Sequence, residues 1–134
     1  MASIHKEISV ASTPEAIWAA VRDIGSIHTR LAPGFVTDTR LEEGARVVTF
    51  GNGMVARELI VDCNDETRRL AWSVVGTQMT HHNASLQVFA EGDGQSRVIW
   101  IADLLPHELA PMIAGMIEQG MVVMKQTLEQ RSAA

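Results

Sequence analysis

Between residues 35 and 105 the sequence alternates strand-like runs with tight turns, and only one later segment is long enough to cover the sheet they imply. Candidate strands fall at 35–42, 45–50, 54–62, 69–76, 79–90 and 95–105, with a further one at 3–11. Their separators are Glu43-Gly44, Gly51-Asn52-Gly53, residues 64–68, Gly76-Thr77 and Gly92-Asp93-Gly94. Glycine, Asn and Asp supply the positive φ that hairpin turns demand. Connections this short make neighbouring strands antiparallel. A curved antiparallel sheet must bury one face, and the segment at 110–130 is the element available to bury it. At about 100° per residue, Met112, Ile113, Met116, Ile117, Gly120, Val123, Met124, Thr127 and Leu128 share one broad helix face. Glu118, Gln119, Lys125, Gln126 and Glu129 lie opposite. Pro111 lacks an N–H, so this helix should start near Ala110, after a short turn at 106–109. The expected class is α+β: a seven-stranded curved antiparallel sheet around one long C-terminal helix.

The first strand is followed by Ser12-Thr13-Pro14-Glu15, a strong helix start. Either Ser12 and Glu15 form a capping box, or Thr13 caps with Pro14 at the first helical position. Ile17, Trp18, Val21 and Ile24 then share one side, Gly25 stops the helix, and residues 26–31 can add a second short one.

A chain of 134 residues, 46% apolar and 20% charged, is one folded domain spanning 1–134. The net charge of −5, with acids and bases interleaved, argues against nucleic acid, which needs a basic face. The single cysteine, Cys63, excludes an internal disulfide and a cysteine zinc site, and reads as a bystander. Residues 1–10 contain no long apolar segment and no run approaches membrane-spanning length, so stable membrane insertion is not expected and the cytoplasm is. No cofactor is expected. His107-Glu108 begins a metalloprotease-like pattern, but Pro111 stands where its second histidine belongs. Gly51-Asn52-Gly53 lacks the third glycine and the helix of a dinucleotide loop. His81 and His82 are neighbours on a strand, so their rings diverge and cannot share a metal.

The order of elements, the pattern SxPExIWxxVRDxG over residues 12–25, the run Asp65-Glu66-Thr67-Arg68-Arg69-Leu70-Ala71-Trp72 and the final Met-rich helix together resemble the START/birch-pollen-allergen superfamily. Within it the chain looks most like the bacterial polyketide cyclase/dehydrase group, and it is also similar to the plant abscisic-acid receptors. The resemblance covers essentially the whole chain. It implies a helix-grip fold, with a cavity between sheet and helix, and leaves function open because this superfold hosts carriers, receptors and cyclases.

Strand parity then nominates cavity residues. In 80–90, Ala84, Leu86 and Val88 form the apolar parity and carry His82 inward; in 69–75, Leu70, Trp72 and Val74 do the same. If Ala90 pairs with Gln95, His82 sits opposite Asp103 and the two form a polar pair on the cavity wall. A slip of one residue would instead bring Trp100 inside. The first register is preferred. A carboxylate there would orient His82 and raise its pKa unless burial outweighs it, making the pair the candidate catalytic group. Alternation with Val55, Leu59 and Val61 points Arg57 inward, whereas the resemblance to the abscisic-acid receptors puts Glu58 there; whichever faces in is a candidate anchor. By the same resemblance His28 and Arg30 are candidate gate residues. Trp18, Trp72, Ala84, Leu86, Met112, Met116, Gly120, Val123 and Met124 complete the expected lining. Gly120 is expected to face the cavity, leaving room for a ligand or a close aromatic such as Trp72.

Three functions are compatible with this site. The first is binding or carriage of a hydrophobic small molecule such as a lipid, polyketide or aromatic metabolite; the Met-rich face and scarcity of polar groups favour it. The second is a metal-free cyclase or aromatase using His82 and Asp103. The third is a small dimeric interaction or stress-response module with a vestigial cavity, for which a homodimer is a candidate assembly.

Overall fold

The computed structural model describes residues 2–133. In chain order the elements are β1 (Ala2–Val10), α1 (Pro14–Arg22), a π-helical turn (Ile27–Leu31), β2 (Val36–Glu42), β3 (Ala45–Phe50), β4 (Val55–Asn64), β5 (Arg69–Val75), β6 (His81–Ala90), β7 (Ser96–Leu105), a 3-10 turn (His107–Leu109) and α2 (Ala110–Ala133). The strands form one seven-stranded sheet in the order β1-β7-β6-β5-β4-β3-β2. Every pairing is antiparallel. From β2 to β7 the sheet is a meander, and β1 adds to the edge that β7 would otherwise leave open. This is the helix-grip architecture: a long C-terminal helix held by a curved sheet.

Local chemistry places the smaller elements. Thr13 caps α1, its Oγ1 accepting the Ala16 N–H at 3.2 Å with Pro14 opening the helix. Glu15, left free by that choice, pairs with Arg68 at 3.1 Å. At the β4–β5 turn, Asn64 Oδ1 accepts the N–H groups of Glu66 and Thr67 at 2.9 and 3.1 Å, which lets Arg68 follow at a φ of 51°. Trp18 Nε1 and Arg22 Nε both donate to Asp65 Oδ1, at 2.8 and 2.9 Å, and so dock α1 on this turn.

The seam between α2 and β1 sets the rotation of the long helix. Lys6 pairs with Glu118 at 2.7 Å, the Ala11 N–H donates to Glu129 at 2.8 Å, and Lys125 donates to the Ser9 carbonyl. Arg131 donates to the Thr29 carbonyl and ties the far end of α2 to the π turn region. Glu118, Lys125 and Glu129 therefore lie along one line of the helix facing β1. The buried arc beside it is Ile113, Ile117, Gly120, Met121, Met124, Thr127 and Leu128. This corrects the helical-wheel expectation at its edges. The seam turns Met121 inward, whereas Met112 rotates out to 44% exposure and Val123 is only half-buried.

The parity of β4 also differs from expectation. Ala56 and Glu58 are buried, while Val55 and Val61 are exposed at 52% and 64%. The β3–β4 register puts Val55, Arg57 and Leu59 together on the outer face, and a bulge between Ile60 and Asp62 leaves Val61 exposed there without a partner on β5. Arg57 is exposed and pairs with Glu42 at 2.9 Å.

Candidate functional site

Between the inner sheet face and α2 lies a cavity of about 100 Å³. Its sheet wall is built of cross-strand rows. One row runs Arg46, Glu58 and Val74 across β3, β4 and β5. Continuing the Ser73–Asn83 register brings His82 beside Val74, and His82 pairs with Leu104. The next row holds Trp72, Ala84 and Ala102, and the one after it Leu70, Leu86 and Trp100. Ile113, Met116, Ile117, Gly120 and Met124 of α2 close the opposite wall, and Met54 and Met79 stand near the hairpin ends.

Very few polar groups interrupt this apolar lining. Arg46 and Glu58 are 4% and 7% exposed and directly opposite one another, with Arg46 Nε donating to Glu58 Oε1 at 2.8 Å. Arg46 Nη1 donates to the Ile24 carbonyl at 3.4 Å, and its guanidinium lies 5.4 Å from the centroid of the Trp72 ring. Burial lifts the Glu58 carboxyl above its ordinary range, and the Arg46 charge and hydrogen bond restrain that rise. Trp72 and Trp100 meet edge to face, with centroids 5.8 Å apart and planes at 65°. Among the described residues, two buried side-chain polar atoms lack a hydrogen-bond partner: His82 Nδ1 and Trp100 Nε1. Both residues border the cavity.

The proposed His82–Asp103 pair does not form. Asp103 pairs in register with Asn83, on the outer face, and accepts a hydrogen bond from Ser3 Oγ at 2.6 Å. The turn explains the slip: Glu91 closes on Gln95 by a backbone bond of 3.1 Å, so Ala90 pairs with Ser96 rather than Gln95. The resulting inward set of β7 is Val98, Trp100, Ala102 and Leu104, whereas the alternative would have buried the Asp103 carboxylate. With no carboxylate beside it, His82 has its pKa lowered, first by burial and then by the charge of His81. The expected rise is therefore reversed, and the imidazole is neutral near pH 7.

Of the other expected residues, Glu58, Trp72, Ala84, Leu86, Met116, Gly120 and Met124 border the cavity, as does His82. Trp18, Met112 and Val123 do not, and neither does Arg57. Trp18 is buried in the α1 packing with its indole turned to Asp65. His28 and Arg30 are also outside the lining: His28 meets Thr39 at 3.1 Å and Arg30 pairs with Asp23 at 3.0 Å. The neighbour of Gly120 is Phe35 rather than Trp72; a Cβ at Gly120 would lie 2.9 Å from Phe35 Cε2.

Arg46 was not foreseen, although a signal for it existed. Counting outward from the Gly51–Gly53 hairpin sets Thr49 against Val55 and Arg46 against Glu58. Phe35 and Phe50, with centroids 5.6 Å apart, were likewise missed. Together with Met116 they separate the cavity from an outer groove of about 270 Å³ that Gly34, Asn52 and Gln119 help to line.

Among the described residues, no three His, Cys, Asp or Glu side chains converge as a metal would require. No helix among the described residues is long and apolar enough to cross a membrane.

Comparison with curated proteins gives no match. Solved structures give many. The chain is similar to XoxI from Bacillus cereus, with 20% identity, a TM-score of 0.86 and 96% of each chain covered. A START superfamily protein from Mycobacterium smegmatis aligns at 14% identity and a TM-score of 0.72, covering 98% of this chain and 97% of its own. The di-domain ARO/CYC protein BexL of the BE-7585A biosynthetic pathway aligns at 13% identity and a TM-score of 0.81, covering 96% of this chain and 47% of BexL. These likenesses establish the shared fold. The profile described as polyketide cyclase/dehydrase and lipid transport matches residues 1–129, and the chain belongs to that family.

Proposed function

We propose that the protein binds a hydrophobic small molecule in the cavity between its sheet and α2. The observation that carries this reading is an apolar chamber two of whose lining residues, His82 and Trp100, each carry a buried polar atom that finds no partner in the protein. Buried polar groups are nearly always satisfied, so two orphaned atoms on residues that line one cavity point to a ligand that completes them. A cavity of about 100 Å³ is well beyond the room one water needs and approaches the roughly 150 Å³ that takes up benzene in an engineered core. Larger ligands require the Met54, Met79, Met116 and Met124 side chains to yield, which flexible thioethers do readily. The net charge of −5 and the single Cys63 support a cytoplasmic protein whose partner is a small molecule rather than nucleic acid.

Native mass spectrometry of protein purified from its own host, with extraction of whatever co-purifies, tests the reading. A bound organic molecule is expected, and saturating ethylbenzene should change the fluorescence of the wall residues Trp72 and Trp100. An empty protein whose fluorescence ignores small aromatic ligands would overturn it.

One observation favours a second reading, that of a cyclase or aromatase. His82 offers a neutral imidazole, able to take a proton, on the same wall row as the Arg46–Glu58 pair, whose guanidinium can still donate a hydrogen bond to an enol or enolate oxygen. Turnover of a poly-β-ketone thioester, lost in His82→Ala, would establish it; absence of any product would remove it.

A further inference from the structure

The chamber is charge-matched as well as apolar, and the two properties together narrow what it accepts. The only cation and the only carboxylate among its lining residues are Arg46 and Glu58, which neutralise one another at 2.8 Å. Lys6, on the neighbouring edge strand, is held by Glu118. Burial and the neighbouring His81 keep the His82 ring neutral, so it offers hydrogen bonding but no charge. Trp100 Nε1 is different in kind. An indole N–H only donates, so its missing partner must be an acceptor. Its ring stands edge to face with Trp72, and the two indoles present flat and edge-on surfaces suited to a ring system.

We propose that the ligand is an uncharged, ring-bearing molecule whose carbonyl-type oxygen accepts the Trp100 indole N–H, and that the chamber turns carboxylates away. His82 Nδ1 supplies a second polar contact about four strand residues along the wall, roughly 13 Å at the backbone, suited to a distal hydroxyl. A carboxylate entering the chamber loses its hydration and meets no unmatched cation, because Arg46 already has Glu58. This deepens the binding reading above and rests on it.

Three probes of similar size separate the two claims: ethylbenzene, acetophenone and benzoate, titrated at pH 7 by calorimetry or NMR against wild type and Trp100→Phe. Acetophenone should lose about five- to tenfold in affinity in Trp100→Phe, the scale of one buried hydrogen bond, while ethylbenzene changes by less than about twofold. Benzoate should bind wild type at least about tenfold more weakly than acetophenone. In wild type the Trp100 indole proton resonance should shift with acetophenone and stay near its place with ethylbenzene, a readout that needs no variant. If ethylbenzene binds but Trp100→Phe weakens both neutral probes equally, or benzoate binds best, the ligand class is wrong while the binding site stands. Failure of both neutral probes to bind would overturn the binding reading, and this inference with it.

Discussion

Replacing Gly120 by alanine sets two known effects against each other at one point in the structure. In a helix interior the change should stabilise by about 1 kcal/mol, because glycine has more backbone freedom to lose. Here the added Cβ would lie 2.9 Å from Cε2 of Phe35, closer than real Cβ contacts come, and 3.1 Å from Cζ and 3.3 Å from Cδ2, tighter than most of them. The ring cannot swing away without penalty, since it packs edge to face on Phe50 with centroids 5.6 Å apart. Overpacking of this kind costs about 1–3 kcal/mol, and the aromatic pair contributes about 0.5–1.5 kcal/mol of that resistance. The loss wins, and Gly120→Ala should destabilise by about 1 kcal/mol in urea or guanidinium unfolding. In a Phe35→Leu background the clashing ring atoms are gone, so the same substitution should stabilise by about 1 kcal/mol. The cycle thus carries a coupling of about 2 kcal/mol between the two positions, well above the few tenths expected of independent sites. Stabilisation by Gly120→Ala in the wild-type background, or a coupling near zero, would show that Phe35 does not occupy the notch over Gly120.

Arg46→Ala should cost about 3–5 kcal/mol of unfolding free energy, because it leaves Glu58 buried and unpaired. The double change Arg46→Met with Glu58→Leu should cost less than the single one, and a larger loss in the double variant would contradict the assignment. His82 should titrate below the ordinary value of about 6.5 when followed by NMR, and a midpoint above it would refute burial as the dominant influence. The sign for stability follows: the unfolded chain takes up the proton more readily, so stability falls as pH drops below about 6.5 and levels off beneath the folded pKa. The difference between wild type and His82→Gln should show that slope. Asp103→Asn should leave ligand affinity unchanged, since its side chain lies on the outer face with Ser3; a loss of binding would overturn the observed register.

The antiparallel run from β2 to β7 could be read from spacing alone, because glycine- and Asn-rich turns punctuate strands whose lengths the turns themselves delimit; the pairing of β1 with β7 could not. The long helix was equally plain, its start marked by Pro111 and its inner face by Ile113, Ile117 and Met124. What the pattern could not decide was parity where apolar residues lie on both faces of a strand. Val55 and Val61 looked like core and are exposed, whereas Glu58 between them is buried. In β7 the choice between two inward sets rested on a single residue in the turn, and closure at Gln95 moved every side chain to the other face. The helix failed only at its margins, for a similar reason. Its contacts with β1, through residues far away in sequence, set a rotation that no wheel drawn from 110–130 alone contains.

The places where alternation misleads are also the places where polar chemistry enters the chamber, and the Arg46–Glu58 pair shows why. A pair of well-packed apolar residues would hold β3 to β4 as firmly, or more so, because desolvating two charges offsets much of their attraction. Stability therefore does not account for a guanidinium and a carboxylate facing the same cavity. Their position does. Arg46 lies over the Trp72 ring and Glu58 neutralises it, so the polar end of the chamber keeps hydrogen-bonding groups while presenting no net charge. Farther along, Trp100 faces in because the β6–β7 turn takes one residue more than the simplest reading allows. An apolar pattern can forecast that a cavity exists; which polar atoms border it depends on the registers of two hairpins.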